Sequence, residues 1–162
     1  MILALSRQAH GAANAVTHSL DDGSTLVWEL LDAAPVDALL AAPVEVENGW
    51  LMRHDRVDFP PGGVAYRHTH PGPGIRYLLH GVLKIETPSH TEKYGAGQAW
   101  FESGPEPVLA TAADTLETAF VRVLLLPPEW AGKRTISYLD PADDDRPKLQ
   151  RATVFAEHRI RL

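Results

Sequence analysis

Residues 66–81 read YRHTHPGPGIRYLLHG, and the interpretation of the whole sequence starts from this stretch. His68 and His70 are separated by one residue, a proline- and glycine-rich kink follows, and a short apolar run ends at Gly81. Residues two positions apart in a β-strand point to the same face, so both imidazoles can face one interior. Such a pair suits a divalent metal ion. Among eight histidines, however, an HxH spacing by itself is a weak signal.

The surrounding sequence has the pattern of an antiparallel β-structure. Short strand-like segments alternate with separators such as PPGG, GAG and ESGPE, and the chain contains 13 prolines and 12 glycines. Short strands with turn residues at this spacing are typical of a sandwich or barrel. The predicted strands are 64–68, 75–80, 82–87, 91–94, 98–102, 107–111 and 119–126.

The flanking segments carry mixed signals. TLVWELL at 25–31 is compatible with a strand or with the start of a short helix, whereas VDALLAA after Pro35 predicts one or two helical turns. Asn48-Gly49 predicts a tight turn between two short strands. DPADDDRP at 140–147 predicts a solvated loop before a basic terminal strand.

Composition excludes several classes of site and partner. A chain of 162 residues fits one domain, and its formal net charge of −6 argues against nonspecific binding of nucleic acid. Without cysteine there is no disulfide, no thiolate nucleophile and no cysteine-type zinc site, so a metal would be held by histidine and carboxylate. No secretory signal and no run of about 20 apolar residues is found, which predicts a cytoplasmic protein without a membrane span.

Two segments resemble the two sequence motifs of the cupin superfamily. The first contains a glycine, the HxH pair and a Tyr/Leu strand that ends at a hairpin glycine; the matching residues are Gly63, His68, His70, Tyr77, Leu78, Leu79 and Gly81. The second is KYGAGQAWFESGPEPVLATA, where the matching residues are Gly97, Trp100, Phe101, Glu102 and Gly104. Both motifs occur in the right order, followed by the strand AFVRVLLLPPE.

The resemblance implies an all-β fold, a single-domain cupin jelly-roll β-barrel with a ligand site in its mouth. It covers residues 45–128, which form the predicted barrel core of one domain at 1–162. Residues 1–44 are then an N-terminal extension and 129–162 a C-terminal extension. Because cupins often pair through strands packed between barrels, the extra segments predict a homodimer.

The sequence departs from the cupin pattern at two of four ligand positions. The motif glutamate falls on Gly74, and the second-motif histidine falls near Pro107, or on Glu106 if the loop is one residue shorter. Glu102 is the first candidate replacement, since it lies two residues beyond Trp100 and shares its face. Glu106 is the second.

The metal hypothesis therefore takes His68, His70 and Glu102 as ligands. Two histidines and one carboxylate form the set found in non-haem iron sites, and three protein ligands are usual for an open catalytic site. The alternative is that Glu102 pairs with a nearby arginine at the rim of the barrel.

Arg76 leads to a competing hypothesis. If the strand alternation holds from Gly74, Arg76 and His80 point into the barrel together. An inward arginine would disfavour a cation and could grip a carboxylate or phosphate through two parallel hydrogen bonds. The apolar alternation at 75, 77 and 79 slightly favours the outward placement instead.

Three functions follow from these residues. The first is a divalent-metal site that acts on or binds a small organic molecule, with iron, nickel, zinc or manganese as Lewis acid or, for iron, oxygen carrier. The second is a metal-free pocket that binds a small anionic metabolite through Arg76 and the histidines. The third is a vestigial barrel with a structural or interaction role. Tyr66, Trp100 and His80 complete the predicted substrate-binding set beside Arg76. Whether the chain is an enzyme, of dioxygenase or isomerase type for example, stays open, since this barrel hosts many activities.

Overall fold

The alternating segments of the sequence form three antiparallel sheets. The computed structural model describes residues 1–162, with fourteen strands and two short 3₁₀ helices at Pro128–Trp130 and Pro141–Asp145. The strands are β1 (Ile2–Ser6), β2 (Ala15–Ser19), β3 (Thr25–Leu31), β4 (Leu40–Pro43), β5 (Leu51–Phe59), β6 (Val64–Thr69), β7 (Gly74–His80), β8 (Val82–Glu86), β9 (Thr91–Gly95), β10 (Ala99–Glu102), β11 (Val108–Ala112), β12 (Thr118–Leu126), β13 (Ser137–Tyr138) and β14 (Arg151–Arg159).

Two five-stranded sheets face each other as a jelly roll. One has the order β10-β7-β12-β5-β14, and the facing sheet has the order β13-β6-β11-β8-β9. An apolar cluster that includes Leu78, Leu83 and Phe120 fills one end of the space between them. The all-β jelly roll predicted from the sequence is confirmed, although the two sheets do not join into a closed barrel.

The N-terminal segment forms a third sheet, of order β2-β3-β1-β4, that covers the outer face of β7 and β12. Leu5 and Trp28 from this sheet share a fully buried cluster with Ile75, Val121 and Val123. The indole Nε1–H of Trp28 also donates to the carbonyl oxygen of Ile75 at 3.1 Å. Strands β7 and β12 are therefore buried on both faces.

Two local expectations for the first fifty residues change in the structure. TLVWELL is a strand, but VDALLAA forms a turn and then β4, which pairs with β1, so the predicted helix is wrong. A helix of two turns is marginal alone, whereas the free edge of β1 offers backbone partners. Gly49 does form the expected turn, with φ +90°, but residues 44–47 before it are not a strand.

The C-terminal segment completes both five-stranded sheets. β13 pairs with β6, and β14 pairs with β5, so 129–162 form part of the wall around the interior. Arg53 fixes the connecting loop, because its Nη1 donates to the Lys133 carbonyl at 2.7 Å and its Nη2 to the Trp130 carbonyl at 2.8 Å. None of the helices in the chain is both long and apolar enough to span a membrane.

Candidate functional site

A cavity of about 560 Å³ lies between the two five-stranded sheets. The period of two places alternate residues of each strand on its wall, so that Phe120 and Arg122 of β12 lie beside Val57 and Asp55 of β5. One end is apolar and is lined by Val57, Phe59, Ala65, Ile85, Val108, Ala110 and Phe120. The other end is polar and is lined by Arg53, Asp55, His68, His70, Arg76, Glu102 and Arg122.

The cavity is bordered on one side by β14 and the loop at 132–136. Lys133, Arg134 and Arg151 belong to this border, and together with the interior they give the wall six basic and three acidic side chains. The whole chain has a formal net charge of −6, so this concentration of positive charge does not reflect overall composition. A cleft of one sign attracts ligands of the opposite sign.

Arg122 and Asp55 form a buried, two-pronged ion pair on the cavity wall. Nε of Arg122 donates to Oδ1 of Asp55 at 2.7 Å, and Nη2 donates to Oδ2 at 3.0 Å. The remaining Nη1 lies 3.5 Å from Nε2 of His70. The geometry is the bidentate arrangement that positions an arginine most firmly.

Arg76 and Glu102 form the second buried pair, with a looser geometry. Nη2 of Arg76 lies 2.8 Å from Oε2 of Glu102, while Nη1 donates to the Gly74 carbonyl at 2.8 Å. Neither Nε nor Nη2 of Arg76 has an acceptor aligned with its N–H, although the side chain is only 1% exposed. Burial lowers the pKa of Arg76 to about 10, so it stays charged at neutral pH.

Both oxygens of Glu102 are already engaged. Oε2 faces Arg76, and Oε1 accepts the indole N–H of Trp100 at 2.9 Å. Burial alone would raise the pKa of Glu102, but the Arg76 guanidinium and the Trp100 hydrogen bond hold it below its ordinary value. Glu102 is therefore an ionised partner of Arg76 inside the barrel.

The two arginines occupy directly opposed positions on neighbouring strands. Arg122 of β12 is in register with Arg76 of β7, and both side chains line the cavity. Side chains opposed in this way lie close together, and like charges there destabilise a sheet unless something compensates them. Each arginine has a carboxylate on its far side, so the two positive charges meet in the middle of the wall.

His68 presents a free ring nitrogen to the same cavity. Its Nδ1–H donates to the carbonyl oxygen of Tyr66 at 2.7 Å, which leaves the Nε2 lone pair without a partner in the chain. Burial lowers the pKa of His68, although the charge of Glu102 acts in the opposite direction. The ring is thus a neutral hydrogen-bond acceptor at neutral pH.

His70 is fixed by two neighbours. Its Nε2 faces the Arg122 guanidinium, so the proton lies on Nδ1 and is donated to the Thr135 hydroxyl at 3.0 Å. Burial, followed by the positive charge of Arg122, holds the pKa of His70 well below its ordinary value. The ring centroids of His68 and His70 are 5.0 Å apart.

The remaining residues of the predicted site lie outside the cavity wall. Trp100 is buried, stacks on Tyr94 at 4.7 Å between ring centroids and contributes only its hydrogen bond to Glu102. His80 is exposed, because β7 runs past the barrel end before its hairpin, and its Nδ1 contacts the Glu117 carbonyl at 3.2 Å. Glu106 accepts a hydrogen bond from Ser89 in a surface loop.

The donor set does not favour a divalent cation as it is arranged. No three histidine, aspartate or glutamate side chains are grouped closely enough to hold a metal ion. At Gly74, where the motif glutamate would stand, a Cβ would lie 2.4 Å from the Val123 carbonyl oxygen and 3.1 Å from the Arg76 Nη1. Two guanidinium groups occupy the region, and like charges repel strongly where water is excluded. The set of His68, His70 and Glu102 therefore stays a prediction.

Asp55 and Arg122 are site residues that the sequence interpretation missed. Arg122 is the only charge in the otherwise apolar strand AFVRVLLL, and a charge in a strand buried on both faces requires a partner. That signal was available in the sequence. Its partner was not, since Asp55 is 67 residues away and is one of several acids on polar strands.

No family model and no curated protein matches the chain. Solved structures with similar folds include the polyketide cyclase RemF from Streptomyces resistomycificus, at 21% identity and a TM-score of 0.46; the match covers 57% of this chain and 64% of the cyclase.

Two further structures are described as cupins. An RmlC-like cupin from Shewanella frigidimarina NCIMB 400 is 15% identical, with a TM-score of 0.43 over 54% of this chain and 86% of its own. A cupin domain from Bordetella pertussis Tohama I is 24% identical, with a TM-score of 0.41; the match covers 52% of this chain and 91% of that domain.

Proposed function

We propose that this chain binds a small organic anion with an apolar body inside the jelly roll. The observation that carries the proposal is the opposed pair Arg76 and Arg122 on the cavity wall, with two N–H groups of buried Arg76 lacking an aligned acceptor. Buried donors are almost always paired in folded proteins; Nη2 already lies 2.8 Å from Oε2 of Glu102, so Nε is the donor that most needs an acceptor. A carboxylate or phosphate satisfies both the donors and the charge.

The shape of the cavity specifies the rest of the ligand. The apolar end, with Phe59 and Phe120 among its walls, accepts a hydrocarbon or aromatic body. The volume of about 560 Å³ lies in the range of small-molecule sites. His68 Nε2 can accept one hydrogen bond from a hydroxyl or amide of the ligand. The expected small-molecule partner is therefore an amphipathic acid rather than a bare inorganic anion.

Calorimetric titration with matched pairs of ligands tests the proposal. Benzoate and octanoate should bind, whereas benzamide and octanamide should bind at least about tenfold more weakly, because charge-assisted hydrogen bonds are lost. In the double variant Arg76→Met/Glu102→Gln the buried pair is replaced by neutral groups of similar size, and the preference for acids over amides should fall although Arg122 remains. Absence of binding by every acid, or unchanged preference in the double variant, would contradict the proposal.

The metal site is the competing candidate, and one observation favours it. The Nδ1–H of His68 donates to a backbone carbonyl, which is the arrangement that orients metal-ligating histidines. Elemental analysis of untagged protein beside a His68→Ala/His70→Ala variant separates the two candidates. Near one equivalent of metal in the wild type alone would replace the anion proposal. The homodimer and the cytoplasmic location likewise stay predictions.

A further inference from the structure

A second cleft adjoins the entrance of the interior cavity. It has a volume of about 400 Å³ and is lined by Arg134, Ile136, Tyr138, Asp144, Arg146 and Lys148. Arg134 and Ile136 line the interior cavity as well, so the two spaces share a wall.

The outer cleft is cationic, and aromatic rings support two of its charges. The Arg146 guanidinium lies over the ring of Tyr66 at 5.0 Å, and the Lys148 ammonium lies over the ring of Tyr138 at 4.8 Å. Such contacts hold long side chains in place while their charges still face solvent. Tyr66 also provides the backbone carbonyl that accepts the hydrogen bond from His68.

The charges of the outer cleft are only partly neutralised within the chain. Arg146 forms an ion pair with Asp143 at 3.4 Å, and Lys148 donates to the carbonyl oxygen of Asp144. No ion pair of the chain includes Arg134 or Lys148. Arg134, Arg146 and Lys148 therefore stand against two carboxylates, Asp143 and Asp144, which leaves this cleft with an excess of positive charge.

We infer that the ligand of the interior cavity carries a second anionic group, a carboxylate or a phosphate, which lies in the outer cleft. This inference rests on the proposed binding of an organic anion by Arg76 and Arg122. The ligand class is then a two-headed acid, with one charge buried at Arg76 and Arg122 and the other facing solvent in the outer cleft. Arg134 is the residue that connects the two sites, because it lines both.

Titration of matched acids of increasing length tests this inference. Monocarboxylates from hexanoate to dodecanoate are compared with dicarboxylates of equal length, from hexanedioate to dodecanedioate. Without an outer site, each dicarboxylate should bind more weakly, because a charge replaces an apolar end. With it, the dicarboxylate that spans the two sites should bind about fivefold more tightly than its monocarboxylate, as expected for one or two partly exposed ion pairs.

Variants of the outer cleft test whether its charges cause the preference for the dicarboxylate. Arg146→Gln/Lys148→Gln, which changes two residues of the outer cleft that do not line the interior cavity, should remove the preference for the dicarboxylate and leave monocarboxylate affinity unchanged. The matched control is Lys84→Gln/Lys93→Gln on β8 and β9, which removes two charges elsewhere and should leave the preference intact. Added salt should weaken the preference more than it weakens monocarboxylate binding, because exposed charges are screened more than buried ones. An ω-phosphate acid of the best length shows whether phosphate or carboxylate is favoured.

The outcomes separate the inference from the proposed function. If monocarboxylates bind and no dicarboxylate binds more tightly at any length, the two-headed ligand is overturned while the interior anion site stands. The same holds if the Lys84/Lys93 control loses the preference as strongly as the cleft variant. If no acid of either series binds, the interior site itself fails.

Discussion

The two faces of β7 and β12 carry opposite chemistry. On the outer face, Ile75, Val121 and Val123 pack under the N-terminal sheet in a mainly apolar cluster. On the inner face, Arg76 and Arg122 are equally buried but line a cavity. The backbone alternation is the same on both faces. What differs is the contact each face makes, with a packed sheet on one side and with a ligand-sized space on the other.

This difference shows how the chain keeps two arginines out of water. Buried charges are costly even when paired, so Arg76 and Arg122 contribute little to stability. Each apolar side chain buried on the outer face contributes about 1.5–3 kcal/mol. The N-terminal sheet therefore holds β7 and β12 in place while their inner faces hold charges for binding.

The largest effect is expected from a charge placed on the outer face. Val123→Asp puts an unpaired carboxylate at a fully buried position, and we expect a loss of about 4 kcal/mol or more in the free energy of unfolding. Urea denaturation measures it. The control is Val154→Asp, the same exchange at a side chain that is 55% exposed, where a change within about 0.5 kcal/mol is expected. Equal losses would show that the outer face is not a packed core.

The second largest effect is expected on the inner face, at the ion pair between Arg76 and Glu102. Loss of stability is compared between a variant that removes one partner and a variant that removes both. Glu102→Gln keeps the hydrogen bond from Trp100 but leaves Arg76 buried beside a neutral group, at an expected cost of about 3 kcal/mol. Arg76→Met/Glu102→Gln should lie within about 1 kcal/mol of the wild type, since no charge is left unpaired. The single and double variants form a cycle with Arg76→Met, measured by denaturation.

The same variants also test whether a bound carboxylate lies beside Arg76. A bound carboxylate should restore part of the stability that Glu102→Gln loses, because it supplies a negative charge beside Arg76. Octanoate should therefore raise the denaturation midpoint of the single variant more than that of the double variant. If the single variant is as stable as the double variant, Arg76 does not depend on Glu102 in the fold.

The inner and outer faces were not equally predictable from the sequence. The alternation of Ile75, Tyr77 and Leu79 correctly identifies a buried face of β7. It slightly favours placing Arg76 outward because a barrel strand ordinarily buries only its inner face. The N-terminal sheet reverses this, since it buries the outer face and leaves the inner one for Arg76. Nothing in residues 1–44 alone shows which face of the barrel they cover.

The difference between local alternation and long-range contacts also explains which parts of the site were predictable. The two motifs give the fold and bring His68 and His70 to one wall, because strand order and alternation follow from turn residues and period. The pairing of Arg122 with Asp55 depends on the register of β12 against β5, which is a long-range property. Turn chemistry fixes register within hairpins but not between distant strands.

A smaller effect on stability is expected at the hydrogen bond that joins the N-terminal sheet to β7. Trp28→Phe removes the bond from the indole to the Ile75 carbonyl while keeping an aromatic ring in the cluster. We expect a loss of about 1–2 kcal/mol, because a buried carbonyl loses its side-chain donor and some volume is lost. Affinity for an acid should change little, since Ile75 faces away from the cavity. A large loss of affinity would show that the two faces are coupled.

The smallest effects are expected from two histidines that respond to pH in opposite directions. His54 is buried between the N-terminal sheet and β12; its Nδ1–H donates to the Arg122 carbonyl at 2.9 Å, and burial lowers its pKa. Its stabilising contribution is present above the ordinary value of 6.5 and is lost as pH falls through the folded-state pKa. His10 lies between Glu29 and Asp37, whose hydrogen bonds raise its pKa. Its contribution is full below 6.5 and is lost as pH rises through the folded-state pKa.

Single variants of these histidines show the opposite signs directly. The destabilisation by His54→Gln should shrink as pH falls from about 8 to about 5, whereas the destabilisation by His10→Gln should grow over the same range. Denaturation of wild type and variants at each pH gives both curves. Because the two contributions oppose each other, the net pH dependence from this pair is small in the wild type. Slopes of the same sign would mean that His54 is not held neutral beneath the N-terminal sheet, and the outer face would then be open to water.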